Sequence, residues 1–347
     1  MKKLYSIQYL RAFAALAVVV VHAILHPLSV EIPSIVRLGS FAVILFFVIS
    51  GFIMVSVTGN GAFSAPDFLL RRIARVAPLY WLVTLVVALI AIVFPMLLKN
   101  TTYSLEGFVK SVLFIPFRRG NDEIVPMMKL GWTLNYEMFF YVLFAAFSYL
   151  TAAKRFIGVA LVLLGITLFN ALFQPQGVAF EFYGRPVVLT FVGGMAIGLW
   201  HLRGGDAEVS IGSGLGWLLA AAVFLVAGMR VTPEVLFSNQ ADACFMLAGT
   251  CLVMGGIRLE SALPRSNLLL LLGDASYSLY LVHMYCIAAL FIVLRKLGDW
   301  AMDFRLVPAV FLSCVVAVVV HSFVEKPMMR MSLKPRMARR TADSLPR

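Results

Sequence analysis

Two ionisable residues, Arg11 and His22, stand inside the first apolar stretch of this chain. A charge near the centre of a bilayer costs at least about 2.5 to 3.5 kcal/mol, which makes each of them a candidate for function. They are eleven residues apart, three helical turns plus about 20° and about 16 Å along a helix axis. Both therefore lie on one stripe, Arg11 near a mouth and His22 deep. A buried neutral imidazole can act as a general base or as a nucleophile. The competing reading is that Arg11 snorkels to lipid headgroups and His22 bonds a neighbouring helix.

Arg72 and Arg75 come just before Pro78-Leu79-Tyr80-Trp81 and share a helix face at i, i+3. Two guanidiniums so placed offer several directed donors to a phosphate, such as that of CoA or a nucleotide. An ordinary basic anchor, with Tyr80 and Trp81 as an interface belt, fits the same pattern. In Gly131-Trp132-Thr133-Leu134-Asn135-Tyr136-Glu137, the carboxylate is expected about one turn below the outer surface. There it can orient or deprotonate an imidazole, hold an acceptor hydroxyl, or simply face the interface. The hydroxyl-rich run Ser276 to His283 suits helix packing with some exposure to a cavity. His321 and Glu325, at i, i+4, read as a structural pair. His22 and His26 have chelating spacing, but Pro27 and the missing third ligand argue against a metal. No Gly-rich phosphate loop or GxSxG elbow is present in the sequence.

The elements that must carry these residues follow from composition. Of 347 residues 61% are apolar and 13% charged, with a net charge of +12; ordinary domains have about 45 to 50% and about 25%. The chain is expected to be all-α, a polytopic membrane bundle of about ten helices. Apolar runs cover 7–26, 37–57, 77–98, 132–151, 155–173, 187–200, 214–229, 241–257, 268–294 and 306–325. The sixth is short, and Gly273 and Asp274 interrupt the ninth. With both termini cytoplasmic, 17 of the 29 Lys and Arg lie inside and 11 outside, five of the latter in the loop 99–130; Arg11 is within the first span. That bias favours this orientation. Arg11 and the early position of Ala12-Phe13-Ala14 make the first span a retained anchor, not a cleaved signal. Residues 1–327 form the membrane domain, and 328–347 read as a disordered basic tail on the anionic leaflet. The basic excess thus points to membrane lipids and not to nucleic acid. Cys244, Cys251, Cys286 and Cys314 lie in apolar segments without CxxC spacing and are expected to pack. No internal repeat supports an inverted-repeat transporter.

Five ordered motifs resemble the integral-membrane acyltransferase 3 family: Tyr9-Leu10-Arg11 with His22, Phe46 to Phe52, Arg72-Ile73-Ala74-Arg75 before Pro78, Trp132 to Glu137, and Ser276 to His283. They span about residues 5 to 327. Gln8-Tyr9-Leu10-Arg11 stands in place of the family's commoner Asp-Gly-Leu-Arg and is similar to the branch that modifies exopolysaccharides; roles at that Asp position do not carry over. The resemblance implies a multi-pass enzyme of the bacterial inner membrane. It would move an acyl group, usually acetyl, from cytoplasmic acyl-CoA to a hydroxyl of a surface polysaccharide or exopolysaccharide, or its lipid-linked precursor, beside polysaccharide assembly proteins and without a metal. It further implies that His22 is the central catalytic residue, that Arg11 is its paired arginine, and that Arg72 and Arg75 contact the CoA phosphates. Glu137 falls in a motif whose acidic residues vary in role. The fused esterase-like domain of some relatives is not expected after the tenth span. Two other classes compete: a transporter or flippase of a sugar or lipid-linked intermediate, and a structural subunit of an export complex in which His22 is replaceable.

Overall fold

A computed structural model of the chain describes residues 3–26, 32–98, 101–120, 122–204, 211–231, 239–298 and 304–332. Among them there are thirteen α-helices and no strand, only an isolated bridge between Arg118 and Ile124. The helices are α1 (Tyr5–Leu25), α2 (Pro33–Thr58), α3 (Ala65–Val93), α4 (Leu105–Val112), α5 (Trp132–Ala146), α6 (Ala152–Phe173), α7 (Val178–Tyr183), α8 (Thr190–Leu202), α9 (Ile211–Arg230), α10 (Asn239–Arg258), α11 (Asn267–Asp274), α12 (Ser276–Leu297) and α13 (Leu306–Val320). Eight of them, α1, α2, α3, α6, α9, α10, α12 and α13 with its continuation, are long and apolar enough to cross a membrane. The fourth and sixth apolar runs hold the shorter α5 and the helix Pro186–Leu202. The ninth run breaks as expected, α11 ending at Asp274 and α12 starting at Ser276.

Local chemistry fixes the helices that matter for the site. The first N–H groups of α1, which have no partner within the helix, are taken by one carboxylate: Tyr5 N and Ser6 N donate to Glu260 at 2.6 and 2.9 Å. A Cβ on Gly273 would lie 2.3 Å from the Gln8 carbonyl oxygen, so the backbones of α11 and α1 touch and set the level of Arg11. Ser64 caps α3 by accepting from Asp67 N. Further along, the Tyr277 hydroxyl donates to Val76 O at 2.5 Å, tying α12 to α3 beside Pro78.

Four expectations need correction. The segment 99–130 is not simply an outer loop, and Glu137 is not one turn below the surface. The Tyr80 hydroxyl and Trp81 Nε1 donate to Ser111 O and Val112 O, bringing the end of α4 to the middle of α3. Met127 N donates to Ser111 Oγ, and Gly131 lies against the Tyr80 ring. Buried Phe114, Ile124, Met127 and Met128 draw this segment inward, so α5 begins deep and Glu137 lies deeper still. Tyr80 is accordingly fully buried against Phe114, not part of an interface belt. At the other end, α13 continues through a π-type turn (His321–Glu325) and past Pro327 to Ser332. The first residues of the expected disordered tail are therefore helical, and 333–347 lie outside the described residues, as does Pro27.

Candidate active site

Arg11 and His22 both face α12. The Arg11 guanidinium donates to Ser276 Oγ at 2.9 Å and to Gln8 Oε1 at 3.2 Å. Two turns further along α12, His283 Nε2 lies 3.2 Å from His22 Nδ1. Carbonyl oxygens decide the protons of this pair, because they only accept. His283 Nδ1 is 3.0 Å from Leu279 O, so it carries its proton there and leaves Nε2 a lone pair. His22 Nδ1 is 2.9 Å from Val18 O and shares its proton between that carbonyl and His283. The neutral His22 imidazole is thereby left with its lone pair on Nε2, the state a base or nucleophile requires. His283 is wholly buried and fixes that tautomer from a neutral partner.

A cavity of about 610 Å³ opens beside this pair. Its wall carries Arg11, Arg72, Arg75 and Glu137 together, but not His22; its lining also includes Phe46, Thr133 and Tyr280. Tyr280 makes the link, its ring 6.1 Å from that of His283. Six basic side chains line the cavity against two carboxylates, Glu137 and Asp274. The two motif arginines differ. Arg75 is ion-paired with Glu325, whose carboxylate also accepts from Ser278 Oγ at 2.6 Å and His321 Nδ1 at 2.8 Å. Arg72 packs its guanidinium 5.8 Å from the Phe68 ring centre, and its Nε is buried with no acceptor among the described residues. Glu137 accepts from Ser50 Oγ at 3.1 Å and from the Tyr141 hydroxyl. It touches neither histidine of the pair.

Comparison with known proteins decides the family. The acyltransferase 3 model, described as an acyltransferase domain, matches residues 4–324. The chain belongs to this acyltransferase family. It is 30% identical over 296 residues to the exopolysaccharide production protein ExoZ of Rhizobium meliloti (strain 1021), covering 84% of this chain and 90% of that relative. No solved structure matches.

In this multi-pass membrane acyltransferase, sequence reasoning missed His283 as a partner of His22. A histidine inside a span was itself the signal, masked by the hydroxyls around it. It also read His321 and Glu325 as a local pair at the helix end. Their i, i+4 bond is present, but the carboxylate is shared with α3 and α12. An anion entering the cavity can meet guanidinium donors at Arg72 and Arg11.

Proposed function

We propose that this membrane acyltransferase moves an acyl group, acetyl in the first instance, from cytoplasmic acyl-CoA to a hydroxyl of an exopolysaccharide or its lipid-linked precursor. The observation that carries the donor reading is the strongly basic cavity in which Arg72 has no carboxylate partner among the described residues. A CoA phosphate supplies what that guanidinium lacks, through charge-assisted bonds. The similarity to the exopolysaccharide production protein ExoZ supports the acceptor class. The mouth lined by Lys3, Arg71 and Lys326 faces the cytoplasm of a bacterial inner membrane in this reading, with both termini and the basic residues 328–347 on that side.

The phosphates rest on Arg72, with Arg75 holding Glu325 beside them, and the thioester reaches past Arg11 toward Tyr280. His22, its Nδ1 proton committed to Val18 and His283, presents Nε2 either to the acceptor hydroxyl as a base or to the thioester carbonyl as a nucleophile. Glu137, held by Ser50 and Tyr141, accepts a hydrogen bond from donor or acceptor in this reading.

The test is the O-acyl content of the host's exopolysaccharide in cells with the wild-type protein, with His22→Ala at equal membrane level, or with no protein. The expected result is polymer without O-acyl groups in the last two. Full acylation with His22→Ala removes His22 from catalysis. Loss of exported polymer itself in the deletion favours a transporter.

A further inference from the structure

His321 is a histidine of the cavity wall that the mechanism above leaves unused. It lies on the cavity wall at 3% exposure. Its Nδ1 is held by the Glu325 carboxylate at 2.8 Å, while its Nε2 is buried and has no partner among the described residues. A buried polar atom without a partner is destabilising, so its persistence at a cavity wall points to something that enters the cavity. The carboxylate behind it is over-determined by Arg75 of α3 and Ser278 of α12. The backbone is also unusual there, a π-type turn spanning His321–Glu325, a form frequent at functional sites.

Depth connects His321 with His22. Ser278, bonded to Glu325, lies five residues before His283, or about 7.5 Å along α12. His321 lies four residues before Glu325, about one turn in the same direction, because α13 runs opposite to α12. The His321 ring and the His22–His283 pair therefore stand at nearly the same depth, one on the cavity wall and the other next to its Tyr280 end.

We propose that His321, positioned by Glu325, is a second catalytic acid–base group, the proton donor to the thiolate that leaves acyl-CoA. This rests on the donor reading above. As the new bond to the acyl carbon forms, the C–S bond breaks and its electron pair passes to sulphur. The thiolate takes the Nε2 proton of the His321 imidazolium, which becomes neutral while Glu325 keeps its hold on Nδ1. CoA departs as the thiol. The acceptor hydroxyl gives one proton to His22, and return of that proton through solvent to His321 closes the cycle. Glu325 is a positioning residue, since it touches the imidazole and not the reacting atoms.

The test compares leaving groups in the purified full-length protein, with de-O-acylated exopolysaccharide fragments of the host as acceptor. The donors are acetyl-CoA, whose alkyl thiolate needs a proton, and S-acetyl p-nitrothiophenol, whose thiolate does not. His321→Asn can keep a donor near Nδ1 for Glu325 while removing Nε2. It is expected to slow thiol release from acetyl-CoA about 100-fold, the order of a general acid, and from the aryl thioester less than about threefold. Equal loss with both donors, or no loss with acetyl-CoA, overturns the proposal. Failure of the wild type to cleave either donor instead overturns the acyl-donor reading.

Discussion

Arg72 and Arg75 share a helix face and a motif but not a task. Arg75 is spent on the buried Glu325, and Arg72 keeps its donors for whatever enters the cavity. Removing one partner of a buried pair strands the other, at about 3 to 5 kcal/mol. Losing a bond to a charged ligand costs about 1.5 to 3 kcal/mol, or about 10- to 100-fold in affinity. Arg72→Ala is therefore expected to raise KM for acyl-CoA about 10- to 100-fold with unchanged thermal stability in detergent. Arg75→Ala is expected to lower that stability first, and Arg75→Ala with Glu325→Gln to recover much of it. Melting curves and donor titrations of the three variants check this; equal stability loss for Arg72→Ala and Arg75→Ala would sink it. The sequence shows the spacing of the two arginines but not this division, because the deciding partner is 250 residues away. His283 was hidden for a similar reason: its meaning depends on His22, 261 residues earlier.

The helices themselves were legible wherever hydrocarbon dictates them, since a spanning backbone must bond internally and stay apolar. The break at Asp274 was legible too, as glycine beside a charge. Segment 99–130 was not, because its inward pull comes from Phe114, Ile124, Met127 and Met128 at no regular period. Nor does apolar patterning disclose which helices touch. The contact of α2 with α8 depends on glycine: a Cβ on Gly194 would fall 1.8 Å from Val48 O, and one on Gly51 2.2 Å from Phe191 O. Such small residues let membrane helices meet backbone to backbone. In this contact α2 carries Phe46, Phe47 and Ser50 of the cavity wall. Gly194→Leu meets main chain, not a movable side-chain tip. It is expected to cost about 3 kcal/mol or more, seen as lower yield of monodisperse protein and a lower melting temperature. Leu at the exposed Gly165, which has open space around it, serves as the control. Equal behaviour of Gly194→Leu and Gly165→Leu would show that the helices do not meet so closely.

At the scale of the whole molecule, the basic residues of the two ends are managed differently, and this bears on orientation. The 99–130 segment holds five of the eleven cations assigned outside, which weakens a count based on charge alone. Yet Lys110 pairs with Glu106, Arg118 with Glu181, Lys129 with Glu123, and Arg119 donates to the carbonyls of Pro126 and Met127. These cations are bound locally and contribute little to a preference for the anionic leaflet. At the other mouth, Arg71 and Lys326 line a basic cavity and Arg330 is exposed beyond it, where an anionic surface adds about 1 kcal/mol per charge. The end of α13 is therefore expected in the cytoplasm, with α4 on the opposite side. A background with Cys244, Cys251, Cys286 and Cys314 replaced by Ala or Ser permits a direct measurement. In intact spheroplasts a membrane-impermeant maleimide should label Glu106→Cys at once and Arg330→Cys only after permeabilisation. The reverse order would put the basic cavity on the side without acyl-CoA, and the donor assignment would fall with the orientation.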